Sequence, residues 1–375
     1  MKKFTCTIII ALALHGAANA EKLYFYTGKK YGYEYVFNPL NLIFNAGFDI
    51  LQCREGDERD LFSIPYGRAM DNMLMNLKNP AKAIGVYGPK AFVMEEVFPL
   101  TFSENARWWP NYQLHFIGGC VTFTYLHDYF AYHGYENPDF FAALAYWAFH
   151  FTNEVVENNY RKGYTCDAVA DIYIFDIAGM LMGLSPKARR FFSKKLNMAD
   201  WSMQPMFIGD DLRLENAGQY YSIKWLLPFS ENRNWHLFYY WGLNFVLGLS
   251  YKFDRGYALS FGAGIRSKGI KLQDFKTGKS TMVWVYTGGI FLDKNNSLLA
   301  SLIVNVNYYE AVQLNIYPGL FPDSEVSPGV FLAVSEDLSM KFGILFNYTF
   351  SESLYRGKLH FFKHDKLARL TRESI

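Results

Sequence analysis

The chain has 375 residues, a formal net charge of +2 at pH 7, and an aromatic content of 19%, with 28 Tyr and 34 Phe. The small net charge, with no concentrated basic stretch before the tail, excludes a dedicated nucleic-acid binder, so nucleic acid is not an expected partner. The aromatic content lies far above that of an ordinary soluble domain and favours an amphipathic structure.

The first twenty residues predict the compartment. Lys2 and Lys3 precede an apolar run over residues 7–14, and residues 18–20 (Ala-Asn-Ala) have the small-x-small pattern of a cleavage site. We therefore interpret residues 1–20 as a secretory signal peptide. The alternative, an uncleaved membrane anchor, is disfavoured because the apolar run is short for a spanning helix.

The mature N-terminal half, residues 21–202, is predicted to be a mainly helical envelope domain. Its apolar stretches, residues 114–134, 139–152 and 168–185, are interrupted by histidines and aspartates. An uninterrupted apolar run of about 18 residues or more would stop in the inner membrane during export. The interruptions let a secreted chain pass, so we expect compact helices packed against one another.

Cysteines and local charges add little to this interpretation. Cys53, Cys120 and Cys166 follow the signal peptide; they are odd in number and widely spaced, with no metal-binding spacing and no evident disulfide framework. One pair remains able to form a disulfide in an oxidising compartment. The charged stretch at residues 52–62 predicts a solvated loop.

Residues 165–183 place three carboxylates in an otherwise apolar segment. Asp167 lies where the helix should begin and is predicted to cap it. On an α-helix, Asp171 shares a face with Asp167, whereas Asp176 lies about 140° away from Asp171. A buried carboxylate is costly unless it is paired, so we expect both Asp171 and Asp176 to have partners.

Candidate partners lie on two other predicted helices. His115 opens one of them, and Glu154 and Glu157, three residues apart, share a face of the next. Flat surfaces for close helix contact are offered by four glycines: Gly118, Gly119, Gly179 and Gly183. We predict a cluster with His115, Glu154 and Asp171 as the candidate catalytic residues and with Glu157 and Asp176 as further polar members.

Histidine with carboxylates can bind a divalent metal or perform acid–base chemistry. Structural hydrogen bonding within the helices is the interpretation of the cluster that the sequence favours. No nucleophile motif, HExxH sequence or phosphate loop is present. The sequence therefore determines neither a metal nor a cofactor, and it leaves open whether the protein is an enzyme.

From residue 203 the pattern changes to a period of two. In residues 238–253, read as one strand, aromatic and aliphatic residues alternate with Gly, Asn, Ser and Lys. Similar alternation recurs over residues 257–268, 282–292, 298–309 and 340–350, between short turns rich in Asp, Gly and Asn. We predict an antiparallel β-barrel of about eight to ten strands over residues 203–363, followed by a basic tail over residues 364–375.

A soluble sandwich would also alternate. Long strands, aromatic residues near strand ends, and small or polar residues on the opposite face favour a membrane barrel. Such a barrel places the protein in the cell outer membrane with a periplasmic portion. Membrane lipid and the barrel-assembly machinery are then the expected partners.

Four sequence elements resemble an uncharacterised family of bacterial envelope proteins annotated only by a domain of unknown function. They are NPLN at residues 38–41, HFIGG at 115–119, NEVVEN at 153–158 and ADIYIFDIAG at 170–179, within a resemblance over residues 36–185. The chain is more distantly similar to the small helical VanZ-like membrane proteins. The resemblance implies that the five cluster residues belong to a recurring motif and that the barrel half is an appendage; it implies no established reaction.

The sequence thus predicts an α+β protein, with a helical N-terminal half followed by a C-terminal antiparallel barrel. The leading hypothesis for function is a structural, binding or transport role in the outer membrane, with the helical domain capping or plugging a small barrel. The alternative is a membrane-embedded enzyme that acts on lipid or another envelope substrate through the His/Asp/Glu cluster. An enzyme needs the cluster open to a cleft, whereas a plug needs it sealed and fully hydrogen-bonded.

Overall fold

The computed structural model describes residues 22–54, 59–99, 106–158, 163–208, 213–274, 279–320 and 328–345. The predicted signal peptide, the part of the last predicted strand beyond residue 345 and the basic tail lie outside the described residues. The predictions for these three segments therefore stay predictions.

Helical segments cover most of the chain from Tyr33 to Lys195. The α-helices are α1 (Tyr33–Val36), α2 (Pro39–Ala46), α3 (Tyr66–Lys78), α4 (Pro80–Tyr87), α5 (Pro89–Ala91), α6 (Gly119–Tyr132), α7 (Pro138–Glu157), α8 (Asp167–Ala170), α9 (Ile177–Gly183) and α10 (Pro186–Arg190). Wider π-helical turns occupy Phe92–Val97, Trp108–Gly118, Asp171–Asp176 and Phe191–Lys195, and tighter 3₁₀ turns occupy Asp49–Cys53 and Asp254–Gly256. The three apolar stretches predicted to be helical are helical.

The strands follow from Ala199 onward. They are β1 (Ala199–Asp200), β2 (Met206–Ile208), β3 (Arg213–Glu215), β4 (Tyr221–Leu226), β5 (Trp235–Trp241), β6 (Asn244–Lys252), β7 (Tyr257–Asp274), β8 (Lys279–Lys294), β9 (Ser297–Asn305), β10 (Glu310–Ile316), β11 (Gly329–Ser335) and β12 (Met340–Leu345). Ten of them form one sheet in the order β1-β4-β5-β6-β7-β8-β9-β10-β11-β12, with every pairing antiparallel. The predicted α+β class with a large antiparallel sheet is confirmed.

The sequence also predicted that this sheet closes into a barrel. Within the described residues the strand order has two ends, β1 and β12, and no pairing joins them. A closed barrel is therefore not found in the part of the chain that the structure describes. The β2–β3 hairpin forms a separate two-stranded sheet.

The prediction of one continuous strand over residues 238–253 is wrong. The chain turns back at Gly242 and Leu243, and Trp241 of β5 pairs with Phe245 of β6. A Cβ atom on Gly242 would lie 2.3 Å from the backbone oxygen of Gln219, so only glycine fits this turn. The odd-numbered residues of β5 and β6 nevertheless share one face of the sheet, as predicted, because the register pairs odd-numbered residues with odd-numbered residues.

The sheet is inverted relative to a soluble one. Large apolar side chains on one face are exposed, including Leu247 (58%), Phe261 (44%), Tyr286 (73%), Ile290 (48%) and Phe342 (57%). The opposite, buried face is mixed: it carries the core residues Phe238, Tyr240, Val246, Phe291 and Ile303 together with many polar residues, namely Lys224, Ser250, Ser260, Arg266, Thr287, Asp293, Asn305, Gln313 and Asn315. The alternation predicted for Tyr257–Ile265 therefore has its apolar side outward, which is the reverse of a sandwich core.

The helices pack against the sheet through a shared core. One contiguous cluster of buried apolar residues contains Leu42 and Phe123 from the helices together with Trp201, Phe238 and Phe291 from the strands and their connections. Trp201 lies against Phe238 and Phe291, with ring centroids 5.8 Å away in both cases. The predicted domain boundary at residues 202 and 203 stays a prediction, and the packing crosses it.

The stretch predicted to be a solvated charged loop contains a buried residue. Arg59 is fully buried, and its Nη1 donates to Oε2 of Glu215 at 2.5 Å and to Oε1 of Glu310 at 2.7 Å. Lys341 donates to the same two carboxylates at 2.9 and 2.8 Å. These four residues are called the sheet cluster below, and the prediction is wrong at Arg59 because its charge partners lie more than a hundred residues away.

Two further observations concern the described residues. Cys53, Cys120 and Cys166 are buried and form no disulfide with one another, so the bridge left open by the sequence is not formed. No single described helix has the length and hydropathy needed to span a membrane; Asp167–Gly183 and Pro186–Lys195 meet the criterion only together, with a bend of 78° between them.

Candidate functional site

The candidate site forms where four helical segments meet: Trp108–Gly118, α7, Asp171–Asp176 and α9. Gly179 of α9 sets their separation, because a Cβ atom there would lie 2.5 Å from the backbone oxygen of His115. A Cβ on Gly119 would likewise lie 2.5 Å from the hydroxyl of Tyr146 on α7. The predicted role in close helix contact is confirmed for Gly119, Gly179 and Gly183, whereas a Cβ on Gly118 would meet Tyr221 of β4.

The π-helical turn decides which acids reach the site. A π-helix closes its hydrogen bonds between residues five apart, so its turn is wider than that of an α-helix. Asp171 and Asp176 are five apart and begin and end this turn, which places them on one face. The predicted separation of about 140° assumed α-helical geometry, which this segment does not have, and both acids face His115.

Asp176 is the centre of the arrangement. Its Oδ1 lies 2.9 Å from Nδ1 of His115, with which it is hydrogen-bonded, and 3.0 Å from Nδ1 of His150 on α7. The two imidazole rings are tilted by 33° with centroids 5.5 Å apart. Nε2 of His115 faces Oδ2 of Asp171 at 3.8 Å. His115, His150, Asp171 and Asp176 are called the helical cluster below.

The helical cluster leaves polar atoms without partners. Among the described residues, Nε2 of His150, Oδ2 of Asp176 and Oδ1 of Asp171 have no hydrogen-bond partner, although all three residues are buried. Buried polar atoms in proteins are nearly always hydrogen-bonded, because an unmade bond costs about 1–3 kcal/mol. Three such atoms in one cluster therefore distinguish it from an ordinary protein interior, in which buried polar atoms are paired.

Burial and mutual charge shift the pKa values of the cluster. Burial by itself lowers the pKa of His115, but the charges of Asp171 and Asp176 outweigh it and raise that pKa well above its usual value. Burial, and then the charge of His115, holds the pKa of His150 well below its usual value. Burial raises the pKa of Asp176 to about 6 against the opposing effect of His115, and it raises the pKa of Asp171 well above its usual value. Each of these shifts has burial or a neighbouring member of the cluster among its causes, so the groups affect one another's titration.

A cavity of about 70 Å³ adjoins the cluster, lined by His115, His150 and Asp171. Its wall continues through Asp49, Arg107 and Trp109 and is completed by Gln219, Leu243, Ile270 and Met282 from the strands and their connections. This volume has room for several water molecules or a small ligand group. A plug would need the cluster to be sealed and fully hydrogen-bonded, and the cluster is neither.

The remaining predicted residues lie close by. Burial raises the pKa of Glu154 well above its usual value, and one of its oxygens, Oε1, has no hydrogen-bond partner among the described residues. Glu157 lines the cavity, where its charge acts on Asp49. Asp167 also lines the cavity, and it is the first residue of α8; Cys166 precedes it at the cap position, so the predicted capping role of Asp167 is wrong.

Sequence reasoning missed two residues at the site. His150 contacts Asp176, and its signal was its position four residues before Glu154, hence one turn away on the same helix. Asp49 accepts a hydrogen bond from Asn153 at 3.2 Å, and burial raises its pKa to about 8. No local signal identifies Asp49, because the contact joins residues 104 positions apart.

Comparison of the chain with protein-family profiles, curated proteins and solved structures finds no match. The resemblance to an envelope family and to VanZ-like proteins therefore stays a prediction. What the chain does must be argued from its own geometry.

Proposed function

We propose that this protein is an outer-membrane protein in which the ten-stranded sheet forms the lipid-facing wall and the helices cap or plug its inner side. The observation that carries this proposal is the inverted sheet, with apolar side chains outward and polar side chains buried. Membrane barrels have this arrangement, since their outer face contacts lipid. Closure of the sheet into a barrel, and insertion by the barrel-assembly machinery, are parts of the proposal.

Aromatic residues at one end of the sheet support it. Trp225, Phe229, Trp235 and Phe253 are exposed around the β4–β5 turn and the end of β6. Rings of this kind concentrate where the hydrocarbon layer of a membrane meets its headgroups, because they combine an apolar body with a polar or polarisable edge. Leu247, Phe261 and Ile290 lie further along the same face, where the proposal requires contact with the hydrocarbon layer.

Fractionation and one substitution test the proposal. The full chain should sediment with outer membranes and should migrate on SDS gels at a position that shifts on boiling, as closed barrels do. Leu247→Lys should destabilise the protein in lipid by about 2–4 kcal/mol, because it places a charge in the hydrocarbon layer.

Phe62→Lys is the matched control, since Phe62 is exposed outside the sheet and should tolerate the same change within about 0.5 kcal/mol. Recovery of the protein in the soluble periplasmic fraction, or equal tolerance of both lysines, contradicts the proposal.

A second candidate function is catalysis on a lipid or another envelope substrate, with His115 as base or ligand and with Asp171 and Glu154 as orienting groups. The cavity beside incompletely hydrogen-bonded acids favours it. Release of phosphate or fatty acid from envelope lipids in mixed micelles should be lost in Asp171→Asn at unchanged fold. Turnover that is equal in this variant, or absent from the wild type, contradicts catalysis by these residues.

A further inference from the structure

We infer that His115, His150 and Asp176 form a binding site for one divalent transition-metal ion of the Zn²⁺ type. Each residue offers a ligand atom, and the three atoms lie within 4.8 Å of one another. Tetrahedral Zn²⁺ with bonds of about 2.0–2.1 Å to nitrogen and oxygen holds its ligand atoms about 3.3 Å apart. The observed separations of 2.9 and 3.0 Å to Oδ1 of Asp176 are close to this value.

The chemistry of the donor set selects the class of ion. Two imidazoles and one carboxylate suit Zn²⁺ and neighbouring transition metals, whereas Mg²⁺ and Ca²⁺ prefer oxygen ligands. Three protein ligands with a fourth position open to water or substrate are typical of catalytic zinc. The cavity lined by His115 and His150 provides space for that fourth position.

The incomplete hydrogen bonding is the independent observation. With Nδ1 of both histidines and Oδ1 of Asp176 as the ligand atoms, Oδ2 of Asp176, which has no hydrogen-bond partner among the described residues, is a further oxygen on the same carboxylate that a bound ion could engage. The ion would also balance the charge of Asp176 and Asp171, since buried carboxylates are stable when they are paired or coordinate a metal.

Asp171 has the position of a supporting carboxylate rather than a ligand. Its Oδ2 lies 3.8 Å from Nε2 of His115, while Nδ1 of the same ring faces Asp176. Metal-binding histidines commonly donate their second ring N–H to a carboxylate, which fixes the tautomer and the ring orientation. A small shift of the Asp171 side chain would complete this arrangement.

Metal analysis of the full chain tests the inference. The protein, purified without a histidine tag, is stripped with a chelator, reloaded with Zn²⁺, dialysed and analysed by plasma mass spectrometry. We expect one Zn²⁺ per chain in the wild type, none in His150→Gln and Asp176→Asn, and affinity reduced about 10–100-fold in Asp171→Asn. The matched control is His127→Gln, because His127 is equally buried and contacts Asp128 and Arg189 away from this cluster.

A ligand exchange keeps the inference testable if the glutamine variant does not fold. His150→Cys retains a metal-binding group, and its Co²⁺ form should show a thiolate-to-metal charge-transfer band if position 150 binds the ion. A folded His150→Cys protein that takes up Co²⁺ without this band overturns the inference, as does a wild type that retains no Zn²⁺. Metal content does not depend on where the protein is located, so this result is independent of the proposed membrane location.

Discussion

The helical cluster and the sheet cluster both bring two buried carboxylates together with basic side chains, yet they differ in how completely the polar atoms are paired. In the sheet cluster, both carboxylates and the guanidinium of Arg59 have partners at hydrogen-bond distance, and Lys341 joins both acids. In the helical cluster, three buried residues each keep an atom without a described partner, beside a cavity. The difference indicates that the first cluster holds the fold together and that the second is available to a ligand.

The largest expected effect comes from the sheet cluster. Arg59→Met should lower the free energy of unfolding by about 3–5 kcal/mol, because it leaves the two buried carboxylates of Glu215 and Glu310 with Lys341 as the one remaining cation of the sheet cluster. Urea denaturation in detergent measures the loss. Arg190→Met is the control: Arg190 is exposed, and its substitution should change stability by no more than about 0.5 kcal/mol. Equal effects of the two substitutions would show that the sheet cluster is not a structural centre.

The next effect is steric and concerns how the helical cluster is assembled. Gly179→Ala should destabilise the protein by about 1–3 kcal/mol, since the added Cβ meets the backbone oxygens of His115 and Phe116. Gly85→Ala is the matched helix substitution, with open space around it, and should be neutral or stabilising by up to about 1 kcal/mol. Thermal unfolding of both variants checks the pair, and a Gly179→Ala protein as stable as the wild type contradicts the close helix contact.

A smaller effect compares the contributions of the two clusters to the free energy of unfolding. Asp171→Asn should change the free energy of unfolding by no more than about 1 kcal/mol, because the carboxylate it removes is incompletely hydrogen-bonded. Glu215→Gln should cost more, since it weakens contacts with Arg59 and Lys341. Urea unfolding of the metal-free proteins makes this comparison. The reverse order of the two losses would assign the structural role to the helical cluster.

The last expected effect depends on pH and concerns Asp49. Its folded pKa of about 8 exceeds the ordinary value of 3.8, so the folded protein keeps a proton that the unfolded chain has lost across this window. The stability that this proton contributes must therefore decrease as pH rises towards 8. Asp49→Asn should flatten the dependence, which denaturation of both proteins across the window measures. An identical slope in the variant would show that Asp49 is not buried in its protonated form.

The sequence predicted much of the fold and only part of the site. Strict alternation in Tyr257–Ile265 gave the correct faces, because a period of two has only one geometric interpretation. The break at Gly242 was missed because a two-residue turn leaves that alternation in phase. Asp171 and Asp176 were identified as buried acids, but their relative direction depends on a π-turn that no local propensity announces.

The sequence by itself determined the class of the protein, with apolar helices and an alternating antiparallel sheet. It also identified acidic residues that need a partner when they are buried. Only the tertiary structure decided which acids meet. His150 reaches Asp176, and Arg59 reaches Glu310, through contacts between elements far apart in the chain. Periodicity predicts which face of an element is buried. Which residues meet on that face depends on packing, and glycines such as Gly179 set the distance between the helices.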